Sequence, residues 1–338
     1  MEETKIKLTF IQGLKNIVLE EILNNPKLRT IYQGGDAVYL DFNSNINEVL
    51  QLKSILNAYI IKQGDNLNPY FLSKHKSYIG ELIEFVLKHS SGFKSFKLSC
   101  AGPDSKEVRS IKRFITDTYK IEESEEADME LFIGKSNSTW ELGVRITNRP
   151  LSLREYKVEN IKGGLNPTIA YAINTFCNLS FAKSYLNIFS GSATLLIEAG
   201  LINKSLKLIG FDNNGKSNAL AVKNIKKAGL IKSIQLKTED IFNKPELGKF
   251  DVITSDLPFG MQISKGENLE KLYETFIEYS EHSINQDGIL AVYTTEYDLL
   301  SKIIEKSKFS VVETLDLKVS TVVNSYIYPK VFICKLKS

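Results

Sequence analysis

Cysteine is scarce in this sequence, with three among 338 residues, and histidine is equally sparse at three. Cys100, Cys177 and Cys334 stand far apart without a Cys-x-x-Cys pair, and His75, His89 and His282 do not join them into a ligand set. The ligand spacing of zinc and iron sites is therefore missing, and reduced, buried thiols with no metal are expected. Long apolar runs are also missing: none approaches the roughly 20 residues that span a bilayer, so no membrane association is expected. The opening Met-Glu-Glu-Thr-Lys carries acids and leads into a strand-like alternation, unlike a signal or transit peptide, which makes a cytoplasmic location the expectation. Nor is there an excess of one charge. With 43 Lys and Arg against 40 Asp and Glu, the net charge of +3 is too small to indicate a nucleic-acid partner by itself.

What is present is an ordinary globular composition, 43% hydrophobic and 25% charged, in a chain long enough for more than one core. Residues 5 to 62 read strand, helix, strand, strand, helix, strand. Asn66-Leu67-Asn68-Pro69 then breaks the periodicity and separates a first α+β unit, residues 1–65, from a second, residues 66–148. The second unit reads helix (Ile79 to Leu87), strand (Phe93 to Leu98), helix (Ser105 to Tyr119) and two strands, Met129 to Ile133 and Trp140 to Ile146, around the polar turn Lys135 to Thr139. Basic charge is concentrated here. Lys88, Lys94, Lys97, Lys106, Arg109, Lys112 and Arg113 crowd one stretch, and the helical repeat aligns Lys106, Arg109 and Arg113 along one flank. Such a flank is either a solvated face or a phosphate-binding one.

A connecting segment, residues 149–180, leads to a unit over residues 181–338 whose rhythm is strand followed by helix, repeated. That alternation predicts a parallel sheet with helices on both faces. The last two strands, Phe309 to Val319 and Ser325 to Leu336, have no helix between them and should pair antiparallel at the sheet edge. In such a sheet the ligand lies beyond the carboxyl ends of the strands, so the residues after each strand carry the chemistry. Asn187-Ile188-Phe189-Ser190-Gly191-Ser192-Ala193-Thr194 is a small-residue turn in which Gly191 lets a ligand approach the backbone. It lacks the Gly-x-Gly-x-x-Gly of a dinucleotide site, which argues against NAD or FAD. Asp212-Asn213 offers a carboxylate for ribose hydroxyls, or else an N-cap for the next helix. Asp240-Ile241 offers an acceptor for an adenine amine with an apolar side chain beside it, or else a solvated acidic turn.

The fourth end, Asp256-Leu257-Pro258-Phe259-Gly260, is the most specific. An exocyclic amine on a base is a poor nucleophile because its lone pair is delocalised into the ring. Acceptors around its hydrogens pyramidalise it, and the Asp256 carboxylate with the carbonyl of Leu257 or Pro258 can supply two. Phe259 has the face to stack a base, and Gly260 lets the chain turn away.

These four segments, in this order, resemble the motifs of class I methyltransferases that act on amino groups. The Asp-Leu-Pro-Phe-Gly form resembles the THUMP-domain tRNA guanine-N2-methyltransferases. The segment Arg149-Pro150-Leu151-Ser152-Leu153-Arg154-Glu155-Tyr156 and the following Leu165-Asn166-Pro167-Thr168-Ile169-Ala170 match the arginine- and tyrosine-containing stretch of that family. The resemblance covers nearly the whole chain. It implies a ferredoxin-like module at 1–65, an RNA-binding THUMP module at 66–148, a linker with a helix at 149–180, and a Rossmann-like methyltransferase domain with a seven-stranded, mostly parallel sheet at 181–338.

It further implies S-adenosylmethionine as cofactor, held by Asn166, Pro167, Thr168, Asn187, Phe189, Ser190, Gly191, Thr194, Asp212, Asn213, Asp240, Ile241 and Asp256. Asp256, Leu257, Pro258 and Phe259 would carry the chemistry. Lys94, Lys97, Lys106, Arg109, Lys112, Arg113, Arg149 and Arg154 would contact RNA. The implied activity is N2-methylation of a tRNA guanosine, position 6 of the acceptor stem, by a monomer. One departure stands out: the first motif of that family usually reads Asp-Pro-Phe-Cys-Gly-Ser-Gly-Thr, and Asn187, Ile188, Ser190 and Ala193 replace four of its residues. Ala193 adds a methyl near the expected methionine end of the cofactor. Asn187 and Ala193 motivate one alternative, a tRNA-binding protein with a weakened methyltransferase site; another is a guanine-N2 enzyme acting on rRNA or another tRNA position. Methylation of adenine in DNA or glutamine in protein leaves the N-terminal units without a role. A thiouridine synthetase would need a Ser-Gly-Gly-x-Asp-Ser loop that is not found.

Overall fold

The computed structural model describes residues 3–136, 139–259, 268–321 and 325–337. The chain gathers into two compact units, one of Met1–Phe10 with Val18–Ser152 and one of Ile11–Ile17 with Leu153–Ser338. Through residue 148 the elements are β1 (Glu3–Thr9), α1 (Lys15–Leu23), β2 (Thr30–Gln33), β3 (Ala37–Asp41), α2 (Ile46–Val49), β4 (Asn57–Gly64), α3 (Leu72–His89), β5 (Ser95–Cys100), α4 (Lys106–Tyr119), β6 (Glu122–Glu123), β7 (Met129–Ser136) and β8 (Thr139–Arg145). The middle of the expected Lys135 to Thr139 turn, Asn137 and Ser138, lies outside the described residues.

One eight-stranded sheet results, in the order β2-β3-β1-β4-β8-β7-β5-β6. The period-two pattern explains its layering. Ile6 and Leu8 point to one face and join a core with Val18, Ile22, Ile83, Val86, Val108 and Ile111 from the helices, while Lys5 and Lys7 alternate to the other face. β4 pairs with β8, so strands from both sides of residue 66 share one sheet and one core. On α4, the Ser105 side chain caps the first turn by accepting from the Val108 amide. Val108, Ile111 and Ile115 are buried, whereas Lys106, Arg109 and Arg113 are exposed on the opposite flank.

The second unit contains α5 (Pro167–Thr175), β9 (Ser184–Ile188), α6 (Thr194–Ile202), β10 (Lys207–Asp212), α7 (Gly215–Lys227), β11 (Ile234–Thr238), β12 (Phe250–Asp256), α8 (Leu269–Ser283), β13 (Ile284–Thr294), α9 (Tyr297–Glu305), β14 (Phe309–Asp316), β15 (Val319–Ser320), β16 (Tyr326–Ile327) and β17 (Lys330–Leu336). Its seven-stranded sheet runs β11-β10-β9-β12-β13-β17-β14, in which β17 alone runs antiparallel to the other six strands. β9 and β12 are neighbours although β10 and β11 separate them in sequence, so the winding reverses between them. The crevice of a doubly wound sheet opens at that place.

The edge hairpin differs in detail from the expectation. β14 and β17 do pair antiparallel, but β17 lies between β13 and β14, which leaves β14 at the edge. β14 stops at Asp316, and part of the next dozen residues forms the separate ribbon β15–β16 rather than prolonging the strands. Helix α9 was not anticipated, although Leu300 and Ile304 are buried at helical spacing on it.

Candidate active site

The turn after β9 is built by backbone rather than by side chains. Phe189, Gly191 and Ala193 all have positive φ, at 57°, 49° and 62°. Glycine takes that conformation without cost, and the two other residues hold it at some expense of conformational energy. The Ser190 amide donates to the Phe211 carbonyl at 3.0 Å, and the Ala193 amide to the Ser190 carbonyl at 2.7 Å. Asp212 closes the turn: one carboxylate oxygen accepts from the Gly191 amide at 3.0 Å and the other from the Asn214 amide at 2.9 Å. The cap of α7 is Asn214, whose side chain accepts from Lys216 and Ser217, so Asp212 is not the N-cap. Asn213 beside it is exposed. Asp240 does cap, accepting from the Phe242 amide at 2.9 Å at the start of a single 3-10 turn, with Ile241 buried and Phe242 exposed.

Asn187 is buried, and its amide donates to the carbonyls of Thr254 (3.0 Å) and Ile188 (3.4 Å). A carboxylate there would have faced both carbonyls without a hydrogen to give. Asparagine is therefore the residue this bonding pattern requires.

The segment ahead of the sheet is pinned at several points. Arg154 Nε and the Tyr156 hydroxyl both donate to Oε1 of Glu198, at 3.1 and 2.7 Å, and Glu198 is fully buried on α6. Glu159 and Asn224 exchange two hydrogen bonds, at 2.9 and 3.0 Å. Lys157 Nζ donates to the Leu165 carbonyl at 2.6 Å. Asn166 caps α5 by accepting from Thr168, and Pro167 takes the first helical position, where its missing N–H costs nothing. A Cβ on Gly164 would lie 3.5 Å from Ser192 Oγ, so this segment runs against the turn after β9.

The parallel register sets Ser255 opposite Ile188, which brings Asp256 level with that turn. Asp256 Oδ1 is sealed from solvent and has no hydrogen-bond partner among the described residues. Burial pushes its carboxyl up to about 7, against the pull of the Lys157 charge. Burial also lowers Lys157 to about 8, opposed by Asp256 and Glu198. The Leu257 amide continues the ladder onto the Tyr293 carbonyl at 3.0 Å. The Pro258 carbonyl already accepts from the Tyr273 hydroxyl at 3.1 Å, which leaves Leu257 as the better second acceptor for an amine. The Phe259 ring lies 6.4 Å from Tyr293, tilted 58°. Gly260, the last residue of this motif, lies outside the described residues.

Thr168 Oγ1 and Ser190 Oγ are, like Asp256 Oδ1, buried without a partner among the described residues. Buried polar atoms are normally satisfied, and three orphans, one in the first turn of α5, one in the turn after β9 and one at the carboxyl end of β12, fit a place built for a polar ligand. Of the residues expected to touch RNA, Lys94, Lys106, Arg109, Arg113 and Arg149 are exposed. Lys97 and Lys112 pair with Glu125 and Glu123, and Arg154 is in the buried pair with Glu198.

Sequence reading did not single out Lys157, Glu198, Tyr273 or Tyr293. Lys157 directly follows Arg154-Glu155-Tyr156 and so was within reach, whereas the others are brought in by tertiary packing. A cavity of about 600 Å³ between Lys244–Lys249 and the end of α8 lies at the amino end of β12, away from these groups. Among the described residues no cluster of three or more His, Cys, Asp or Glu is placed to hold a metal, and no helix is long and apolar enough to cross a membrane.

Comparison with known proteins places this geometry. The model of the RMKL-like methyltransferase domain, UPF0020, matches residues 154–324. A tRNA (guanine(6)-N2)-methyltransferase of Archaeoglobus fulgidus is 24% identical over 53% of this chain and 50% of its own length. The U6 snRNA (guanine-N(2))-methyltransferase THUMPD2 of Bos taurus is 28% identical over 44% of this chain and 29% of its own. The match thus spans half or less of either relative. The crystal structure of TrmN from Thermus thermophilus superposes with a TM-score of 0.74 at 19% identity, over 99% of this chain and 100% of that one, and shares the fold.

Proposed function

The chain belongs to the UPF0020 family, the RMKL-like methyltransferase domain, and from that premise we propose that it transfers a methyl group from S-adenosylmethionine to N2 of a guanosine in tRNA, at position 6 of the acceptor stem. The observation that carries the reading is Asp256: a half-buried carboxyl at the switch point of the sheet, whose sealed Oδ1 has no partner among the described residues, with the Phe259 ring three residues further on. S-adenosylmethionine would supply an electrophilic methyl on a sulfonium. Asn166–Thr168, the turn from Asn187 to Thr194, Asp212–Asn213 and Asp240–Ile241 would hold it, and the orphaned Thr168 and Ser190 hydroxyls fit a ligand rich in polar atoms.

Asp256 and the Leu257 carbonyl accept the two hydrogens of the guanine amine and turn its lone pair out of the ring plane. Phe259, braced by Tyr293, stacks the base once it has left its helix. Once the nitrogen carries the methyl it is strongly acidic, and its proton goes to the Asp256 carboxylate. Tyr273 locks the Pro258 carbonyl and the Thr294 hydroxyl, so the acceptors keep their places while the base enters. Fixed geometry of this kind contributes on the order of 7 to 11 kcal/mol to such a transfer.

The N-terminal residues, as a ferredoxin-like module (1–65) and a THUMP module (66–148), would bind the RNA through the exposed flank of α4 and Lys94. Affinity would then fall steeply with salt. The enzyme would act as a cytoplasmic monomer. A second acceptor is favoured by the bovine relative, whose name records U6 snRNA.

The test is incubation of the purified chain with S-adenosylmethionine and unmodified tRNA, followed by mass spectrometry of the nucleosides. N2-methylguanosine is the expected product. If U6 RNA gains it and tRNA does not, the substrate is reassigned. If neither does and calorimetry finds no cofactor binding, the chain is an RNA-binding protein, a reading that Ala193 in its left-handed conformation favours.

A further inference from the structure

We propose that Asn224 of α7 is a positioning residue of the cofactor site, whose side-chain amide holds the segment ahead of the sheet and the turn after β9 at a fixed separation, so that the Thr168 and Ser190 hydroxyls meet one ligand. Neither the motif reading nor the comparisons assign this asparagine a role. Its place in a cofactor site rests on the methyltransferase reading.

Helix α7 turns Asn218, Ala221, Asn224 and Ile225 inward. Asparagine is a poor helix former, and a buried amide is costly unless it is bonded. Asn224 is fully buried, and both ends of its amide are bonded. Oδ1 accepts from the Glu159 backbone amide at 2.9 Å, while Nδ2 donates to the Glu159 carbonyl at 3.0 Å and to the Ser192 carbonyl at 3.4 Å. The partners fix the orientation, since a backbone N–H only donates and a carbonyl only accepts. Aspartate has nearly the same shape but no hydrogen for either carbonyl.

These bonds join the two stretches that carry the orphaned hydroxyls. Glu159 lies in the segment that leads through Leu165 to the Asn166 cap of α5, and Thr168 follows in the first turn of that helix. Ser192 lies in the turn after β9, two residues beyond Ser190. Its neighbours there are held as well: the Gly191 amide donates to Asp212 at 3.0 Å and the Ala193 amide to the Ser190 carbonyl at 2.7 Å. The Lys223 ammonium also lies 2.8 Å from the Glu159 carboxylate, but both are partly exposed and such a pair adds little. The segment has an independent anchor in Arg154 and Tyr156, which donate to the buried Glu198. Removing the Asn224 bonds therefore frees the separation of the two stretches without detaching either.

The test takes S-adenosylhomocysteine as the probe and the full-length chain. In the wild type, residue-resolved amide hydrogen exchange should slow on addition of the probe at Glu159 as well as at Gly191 and Ala193, although Glu159 is not among the residues expected to hold the cofactor. Protection of the turn with no change at Glu159 overturns the inference, and that measurement needs no variant.

By calorimetry, Asn224→Asp should bind the probe about tenfold more weakly per folded molecule, because the ligand must then order the two stretches itself. Asp251, at the amino end of β12, accepts hydrogen bonds from Lys183, Ser184 and Asn285. Asp251→Ala loses a comparable set of bonds away from the site and should bind within about twofold of wild type. Unchanged affinity in Asn224→Asp, or equal loss in Asp251→Ala, overturns the inference while probe binding by the wild type leaves the methyltransferase reading standing. A wild-type chain that binds no probe overturns that reading, and exchange in Asn224→Asp then decides whether the tie exists. Faster exchange at Gly191 and Ala193 upholds it, and unchanged exchange there overturns it.

Discussion

The two ends of strand β12 hold aspartates five residues apart in opposite circumstances. At the entry end, Asp251 accepts from the amides of Lys183 and Ser184, the Ser184 hydroxyl and the Asn285 amide, at 2.7 to 3.1 Å. Burial pushes its carboxyl up, but these donors outweigh it and the net shift is downward. At the exit end, Asp256 Oδ1 has no donor among the described residues, and burial lifts the carboxyl to about 7. One carboxylate is used up in holding strands together, and the other is kept for something that is not protein. A fold that satisfies one end of a strand completely and leaves an orphan at the other has given stability to the first and function to the second.

The comparison breaks most visibly with Asp256→Ala, which should lower methyl transfer by about 10³-fold while tRNA binding stays within a few-fold. Equal loss of RNA binding in a filter assay would place Asp256 in the fold rather than in the chemistry. Phe259→Ala should cost the site its stacking face and reduce kcat/KM by about tenfold or more, in line with the 1 to 3 kcal/mol of a base–aromatic stack.

At the other end, Asp251→Ala should leave activity per folded molecule near that of the wild type. It should lower stability by about 3 kcal/mol, read as a drop in melting temperature of roughly 6 to 12 °C, because it strands two backbone amides and an asparagine. The smallest effect sharpens the contrast by its sign. A carboxyl raised on folding binds its proton more tightly in the native state, so its contribution to stability falls as pH rises from about 4 to about 7. Asp256→Asn should therefore melt a few degrees above wild type at pH 8 and level with it at pH 4. Asp251, lowered on folding, works the other way: its contribution is present above about pH 4 and is lost as acid protonates it.

Much of this was legible in the sequence. The alternation of strands and helices after residue 180 led to the parallel order, and Asp256-Leu257-Pro258-Phe259 was conspicuous because its residue types are rare together after a buried strand. The α4 flank followed from the helical repeat alone. What was not legible depended on tertiary partners. Whether Asp212 or Asn214 caps α7 cannot be decided from the string Asp-Asn-Asn, since each is a good cap; the choice is made by Gly191, whose amide claims Asp212. Asn187 read as a departure from a motif, and only the carbonyls of Thr254 and Ile188 show why an amide belongs there. Arg154 read as a contact for RNA, and its buried pair with Glu198 depends on α6 folding against the segment ahead of the sheet. Residues 317–319 and 325–329 read as parts of the two last strands because valines and tyrosines favour strand, but the short β15–β16 ribbon lies outside the main sheet.

The most direct measurement is single-turnover methyl transfer to tRNA, per folded molecule, by Asp251→Ala and Asp256→Ala side by side, at a temperature well below both melting points. The account predicts transfer within about threefold of wild type for Asp251→Ala and a rate lower by about 10³-fold for Asp256→Ala. Turnover retained by Asp256→Ala, or equal loss in both variants, would contradict it.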